Sequence, residues 1–197
     1  MVMKRDEMLR CLANHVDNEQ IVVAAYSSAF DWISIRQSPL NYISSGAMGM
    51  TSSHALGFAL GWPDQRIICL DGDGSLLMNL GSLVTIADSA PKNLVHFVAD
   101  NGLYEANGPH STPGRGKTDY AGLARAAGYK SVFEFDSLPN FEQQIGSVLQ
   151  ATGPVFVWSK VEKGENFPKD YKLMHGPEIR TRFSEAVKRI PRRRIEV

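Results

Sequence analysis

Cysteine is scarce in this chain. The 197 residues hold only Cys11 and Cys69, and neither belongs to a Cys-x-x-Cys pair. That argues against an iron–sulfur cluster or a cysteine-built zinc site, and both thiols read as buried small hydrophobes, Cys11 in a helical pattern and Cys69 in a strand. Neither charge is in excess: 21 Lys and Arg stand against 21 Asp and Glu. A net charge of zero argues against a nucleic-acid partner held mainly by electrostatics. No apolar run approaches bilayer-spanning length, and the charged, early-helical N-terminus lacks the pattern of a secretory signal, so a cytoplasmic chain with no membrane partner is expected. Internal repeats and low-complexity segments are also missing. At 43% hydrophobic residues the chain can bury one substantial core, and residues 1–197 are expected to form one domain with a basic tail from about residue 188.

What is present is an alternation of strand-like and helix-like stretches. Ile21–Ala25, Arg66–Leu70, Asn93–Ala99, Lys130–Phe135 and Pro154–Trp158 read as strands. Met8, Leu9 and Leu12 mark a first helix, and Ser52–Leu60, Leu76 to about Ala87, Asp119–Ala127, Leu138–Leu149 and Gly176–Arg189 have helical spacing. Such alternation predicts an α/β fold, a parallel sheet flanked by helices on both faces. The stretch Asn107–Lys117, rich in glycine, proline and polar residues, reads as a loop leaving the sheet.

The most informative stretch is Arg66 to Ser75. An apolar strand opens onto Asp71-Gly72-Asp73-Gly74-Ser75, with Ser75 placed where a helix would begin. Glycines let backbone approach a ligand, a helix N-terminus offers N–H groups to an anion, and an aspartate is a hard ligand for magnesium. Gly-Asp-Gly-Ser alone is a weak signal that reads first as a tight turn with a capping serine. The next strand ends in Asp100-Asn101-Gly102, and parallel neighbours joined by a crossover helix bring their C-terminal ends side by side, so Asp73 and Asn101 can face one ion. At the end of the first strand, Ser27 and Ser28 can either bind phosphate oxygens or cap the following helix.

Gly72-Asp73-Gly74 followed by Asp100-Asn101 resembles the signature of thiamine diphosphate enzymes, with Asp100 in place of a first asparagine. The resemblance implies that Gly72, Asp73, Gly74 and Ser75 cradle the diphosphate, with Ser27 against it and Ser28 left as the cap. It also implies that Asp73, the Asn101 side chain and the Leu103 carbonyl hold Mg2+. Upstream, Gly46-Ala47-Met48-Gly49 matches the segment that holds the aminopyrimidine, with the Gly46 carbonyl accepting from its amine and Met48 propping the cofactor into its bent form. An unbranched thioether suits that wedge.

Gly46 to Ser53, Ala55-Leu56-Gly57, Asp71 to Leu80 and Pro91-Lys92-Asn93-Leu94 are similar to sulfopyruvate decarboxylase beta subunits and the matching domain of phosphonopyruvate decarboxylases. The implied reaction is loss of CO2 from a short 2-oxo acid to leave an aldehyde. One departure falls near the substrate: those families tend to carry Gly-x-Gln-Pro-Thr where this chain has Gly108-Pro109-His110-Ser111-Thr112. Thiamine chemistry needs a glutamate beside the pyrimidine. In this family it lies on a separate domain for which 197 residues leave no room, so a partner alpha subunit, in an α2β2 assembly, is expected to supply it. This chain's own acid–base candidates are Glu105 and His110, which read alternatively as a surface carboxylate and an exposed loop imidazole. Arg115 and Lys117 are candidates for an anionic substrate head group, and His54 and His96 read as packing residues. A carboligase or 2-oxo acid oxidoreductase subunit, or a non-catalytic thiamine diphosphate binder, would use the same anchor.

Overall fold

The computed structural model describes residues 2–43 and 48–191, the Asn107 side chain excepted. After helix α1 (Arg5–Ala13), strand β1 (Ile21–Ala24) leads into helix α2 (Tyr26–Ile35) and strand β2 (Asn41–Ile43). Helix α3 (Thr51–Gly61), strand β3 (Ile67–Gly72), helices α4 (Asp73–Met78) and α5 (Ser82–Ser89) and strand β4 (Leu94–Asp100) follow. A hairpin of β5 (Leu103–Tyr104) and β6 (His110–Ser111) encloses a 3-10 turn, Glu105–Asn107. Helix α6 (Tyr120–Ala127), strand β7 (Ser131–Phe135), helix α7 (Leu138–Gln150), strand β8 (Val155–Lys160) and helices α8 (Tyr171–His175) and α9 (Pro177–Lys188) complete the order.

Among the described residues the main sheet runs β2-β1-β3-β4-β8-β7, with every pair parallel. Side chains alternate across it, as a period of two requires. Val22, Ile68, Leu70, Val95, Phe97 and Val157 pack on one face with α1, α2 and α7. Ile21, Cys69, Leu94, Val98 and Phe156 pack on the other with α3, α5, α6 and α9. Covering both faces explains why the strands read as continuous apolar runs, and the expected α/β layering is what forms.

Three expectations are corrected. The pattern from Leu76 to Ala87 is two helices, because Asn79 leaves helical geometry at φ −146° and donates its side chain to Ser53 Oγ at 3.2 Å. Asn and Gly81 are weak helix formers, so the break costs little. Neither serine caps a helix end: α2 starts at Tyr26 with Ala25 in the cap position, α4 starts at Asp73 with Gly72 there, and Ser28 and Ser75 each fall in the first turn. The stretch 107–117 is not all loop, since His110–Ser111 pairs antiparallel with Leu103–Tyr104.

The connection after β1 leads outward to β2, whereas that after β3 leads the opposite way to β4. A crevice therefore opens beyond the carboxyl ends of β1 and β3, where open α/β sheets take their ligands.

Candidate functional site

A cleft occupies that crevice. Ser27 reaches it from the start of α2, and Gly72 to Ser75 from the β3–α4 turn. Asn101 and Leu103 come from beyond β4, Glu105 from the 3-10 turn, and Met48 from the segment before α3. Gly46 lies outside the described residues. Tyr26, at the turn out of β1, has φ +47°, a conformation that costs a side-chain-bearing residue about 1–3 kcal/mol. It turns the chain so that Ser27 meets the cleft.

Asp73 is the first residue of α4 and only 2% exposed. Its Oδ2 accepts from Thr112 Oγ1 at 3.0 Å, and backbone N–H groups of Gly74 and Asn101 also serve the carboxylate. Burial and the nearby charge of Asp100 nevertheless push its pKa up to about 6, outweighing those donors. A divalent cation would relieve that cost. Asn101 Oδ1 accepts from the Leu103 N–H at 2.9 Å, and its Nδ2 donates to Glu105 Oε2 at 3.2 Å. Carboxylate, amide oxygen and backbone carbonyl are the hard oxygen donors that magnesium takes, so the residues present fit the ion.

Gly74 has no room for a side chain: a Cβ there would stand 2.6 Å from Cδ1 of the Tyr104 ring. At Gly72 the nearest atom to such a Cβ is the Ala99 carbonyl oxygen at 3.8 Å. Packing thus requires the second glycine, Gly74, but not the first, Gly72. Ser75 Oγ accepts from the Gly49 N–H at 3.0 Å, tying the Met48 segment to α4. Asp100, in place of the usual asparagine, holds β8 by accepting from Trp158 Nε1 at 3.0 Å, and its other oxygen accepts from the Gly102 N–H at 3.1 Å.

Glu105 is not a free surface carboxylate. Its Oε2 receives Arg5 Nη1 at 2.6 Å while Arg5 Nε bonds Asp31 Oδ2 at 2.6 Å, with the arginine side chain 5% exposed. Burial alone would raise the Glu105 pKa, but the hydrogen bond and charge of Arg5, with Lys163 and Ser27 adding, hold it below the ordinary value. Asp31, on the far side of the same guanidinium, is pushed up by its burial despite Arg5. His110 is exposed on β6. Arg115 and Lys117 line an adjoining groove, with Lys160 and Asp119, that shares Asn101 with the cleft. Sequence reasoning missed Arg5, Thr112 and Tyr104. Only Thr112, in the segment that departs from the family pattern, carried any local signal.

Residues 23–158 match the family described as thiamine pyrophosphate enzyme, C-terminal TPP binding domain. The beta subunit of sulfopyruvate decarboxylase from Methanothermobacter thermautotrophicus is 36% identical over 164 residues, covering 83% of this chain and 85% of that one. Its counterpart from Methanocaldococcus jannaschii is 30% identical across 96% of this chain and the whole relative. Phosphonopyruvate decarboxylase from Streptomyces hygroscopicus is 35% identical over 71% of this chain, which spans 34% of that enzyme. A solved structure described as a thiamin diphosphate-dependent enzyme, from Mycobacterium smegmatis, superposes with a TM-score of 0.68 at 23% identity, over 82% of this chain and 32% of that one. With a TPP binding domain matched over most of its length and the cleft at the expected end of the sheet, this chain belongs to the thiamine pyrophosphate enzymes.

Proposed function

We propose that the chain is the beta-type subunit of a thiamine diphosphate-dependent 2-oxo acid decarboxylase. It anchors the cofactor's diphosphate through Mg2+, while an alpha subunit supplies the pyrimidine-activating glutamate, in an α2β2 assembly in the cytoplasm. The observation that carries this reading is the meeting of Ser27, Asp73 and Asn101 at the crevice between β1 and β3, in a chain similar to decarboxylase beta subunits along nearly its full length. When bound, the cofactor supplies the carbon nucleophile and the electron sink that make loss of CO2 from a 2-oxo acid feasible.

The residues of this chain bind and orient. Asp73, the Asn101 amide oxygen and the Leu103 carbonyl hold the magnesium, and backbone at Gly72 to Ser75 approaches the diphosphate. The Ser27 hydroxyl, which serves Glu105 in this structure, would turn its one proton to a phosphate oxygen. Met48 supports the bend of the cofactor, and the Gly46 carbonyl is assigned to its amine. Glu105, kept ionised by Arg5, acts as a fixed acceptor that orients the Asn101 amide, and His110 is the exposed group available for proton exchange at the mouth. A sulfopyruvate- or phosphonopyruvate-like acid is the substrate class named by the relatives.

The test is to mix the chain with its alpha subunit and a panel of 2-oxo acids and to follow CO2, product and cofactor uptake. Aldehyde and CO2 from the mixture, but not from either chain alone, is the expected result. Acyloin or acyl-CoA as the product would instead assign the anchor to a carboligase or an oxidoreductase. Asp73→Ala should abolish magnesium-dependent cofactor uptake in calorimetry while circular dichroism stays unchanged. Full activity of the chain alone would overturn the two-chain arrangement.

A further inference from the structure

A second polar cluster lies inside the sheet's core, just ahead of the Asp73 turn, and the function above makes no use of it. Cys69 and Asp71 are two residues apart on β3 and so share a face, and His96 is the register partner of Cys69 on β4. One ligand atom from each lies within 4.8 Å of the others. Cys69 and His96 are 0% exposed and Asp71 1%. Asp71 Oδ1 accepts from the Gly72 N–H at 3.0 Å. Asp71 Oδ2, both His96 ring nitrogens and the Tyr129 hydroxyl, all buried, have no hydrogen-bond partner among the described residues.

Such a grouping is costly as it stands. A buried polar group left unpaired loses its hydration without replacement, and here several converge. His96 Nε2 and Asp71 Oδ2 are 3.5 Å apart, too far for a good hydrogen bond. Two ligands about 2.1 Å from a tetrahedral ion would stand roughly 3.4 Å apart. The spacing therefore suits two donors turned towards a shared cation better than it suits donors turned to each other.

We propose that Cys69, Asp71 and His96 form a buried structural site for a zinc-type divalent cation, bridging β3 and β4 beneath the cofactor cleft. A thiolate and a carboxylate balance two positive charges, which makes the ionised set tolerable in a core that would otherwise oppose it. Sulfur and imidazole donors select zinc-like metals over magnesium. The His96 ring is steadied by Phe156, edge to face at 5.3 Å. Tyr129, 4% exposed, packs edge to face on the same Phe156 ring at 5.6 Å. With all three donors sealed from solvent, the site is closed and structural rather than catalytic. It stands independently of the thiamine reading.

The test uses the full chain, expressed in minimal medium supplemented with zinc or cobalt and purified without chelator. Expected is about one metal per chain that survives dialysis against EDTA. The cobalt protein should show tetrahedral d–d absorption with a thiolate-to-cobalt band. Cys69→Ala should lose the band and most of the metal while remaining folded by circular dichroism. An ion held by oxygen at Asp73 gives no thiolate band, so the two sites are distinguished. Less than about a tenth of an equivalent in wild-type protein from both media, bound metal without the thiolate band, or metal retained by folded Cys69→Ala would overturn the proposal. Should Cys69→Ala not fold, wild-type stoichiometry and spectrum decide alone.

Discussion

Two opposed effects meet at Asp73: a position useful for holding a cation is a poor one for a lone carboxylate. Its folded pKa of about 6 lies above the ordinary value of 3.8, so its contribution to the stability of the cation-free chain is complete below about pH 4 and lost as pH rises through about 6. Asp73→Asn, which keeps an acceptor for Thr112, should therefore match wild type at pH 4 and exceed it by about 1–3 kcal/mol at pH 7.5 in urea unfolding without metal. The proton competes with the ion for the same oxygens. Magnesium affinity, measured by calorimetry with cofactor present, should fall by up to about tenfold per pH unit below about 6. Arg5 is a second residue with an outsized role, because its loss leaves Asp31 and Glu105 buried and unpaired. Arg5→Ala should cost about 3–5 kcal/mol in urea unfolding, and Arg5→Lys, which keeps the charge but not the forked donor, less. Asp73 and Asn101 were legible because motif and strand order both point at them. Arg5 was not: between Lys4 and Asp6 it looks like a solvent-facing helix charge, and only the packing of α1 against α2 and the 3-10 turn reveals its partners. The cluster of Cys69, Asp71 and His96 was hidden for a related reason, since it exists only through the register of β3 against β4.

At the level of elements, the β3–α4 turn and the β5–β6 hairpin form one unit. The Tyr104 ring lies against Gly74, and Thr112, just beyond β6, donates to Asp73. Gly74→Ala should destabilise by about 1–3 kcal/mol through overpacking, and adding Tyr104→Ala should recover part of that loss. A double-mutant cycle by urea unfolding then yields a coupling energy clearly different from zero. The long strands were readable as apolar runs because both faces are covered. The three-residue β2 was not, being too short to show a period, and neither was the hairpin, whose strands have two residues each. Nor was the break between α4 and α5, where Leu76, Leu77, Leu80 and Leu83 sustain an apolar pattern across the residues that interrupt the helix.

Across the whole molecule, two apolar clusters clamp the sheet from either face and leave the cleft at one end. Large apolar side chains remain exposed beside it: Met50 at 41% and Met78 at 51%, with Met78 packed next to Gly49. On the two-chain reading these residues meet the alpha subunit. Met78→Glu should then lower co-purification of the two chains while leaving this chain's melting temperature within about 2 °C of wild type. The seam at which the chain's connections diverge also has a bearing on descent. Among the described residues, none from β2 or β7, the two borders of the sheet, lines the cleft. Insertions along those borders would leave the described lining of the cleft in place, so relatives could vary there without touching the residues assigned to the cofactor.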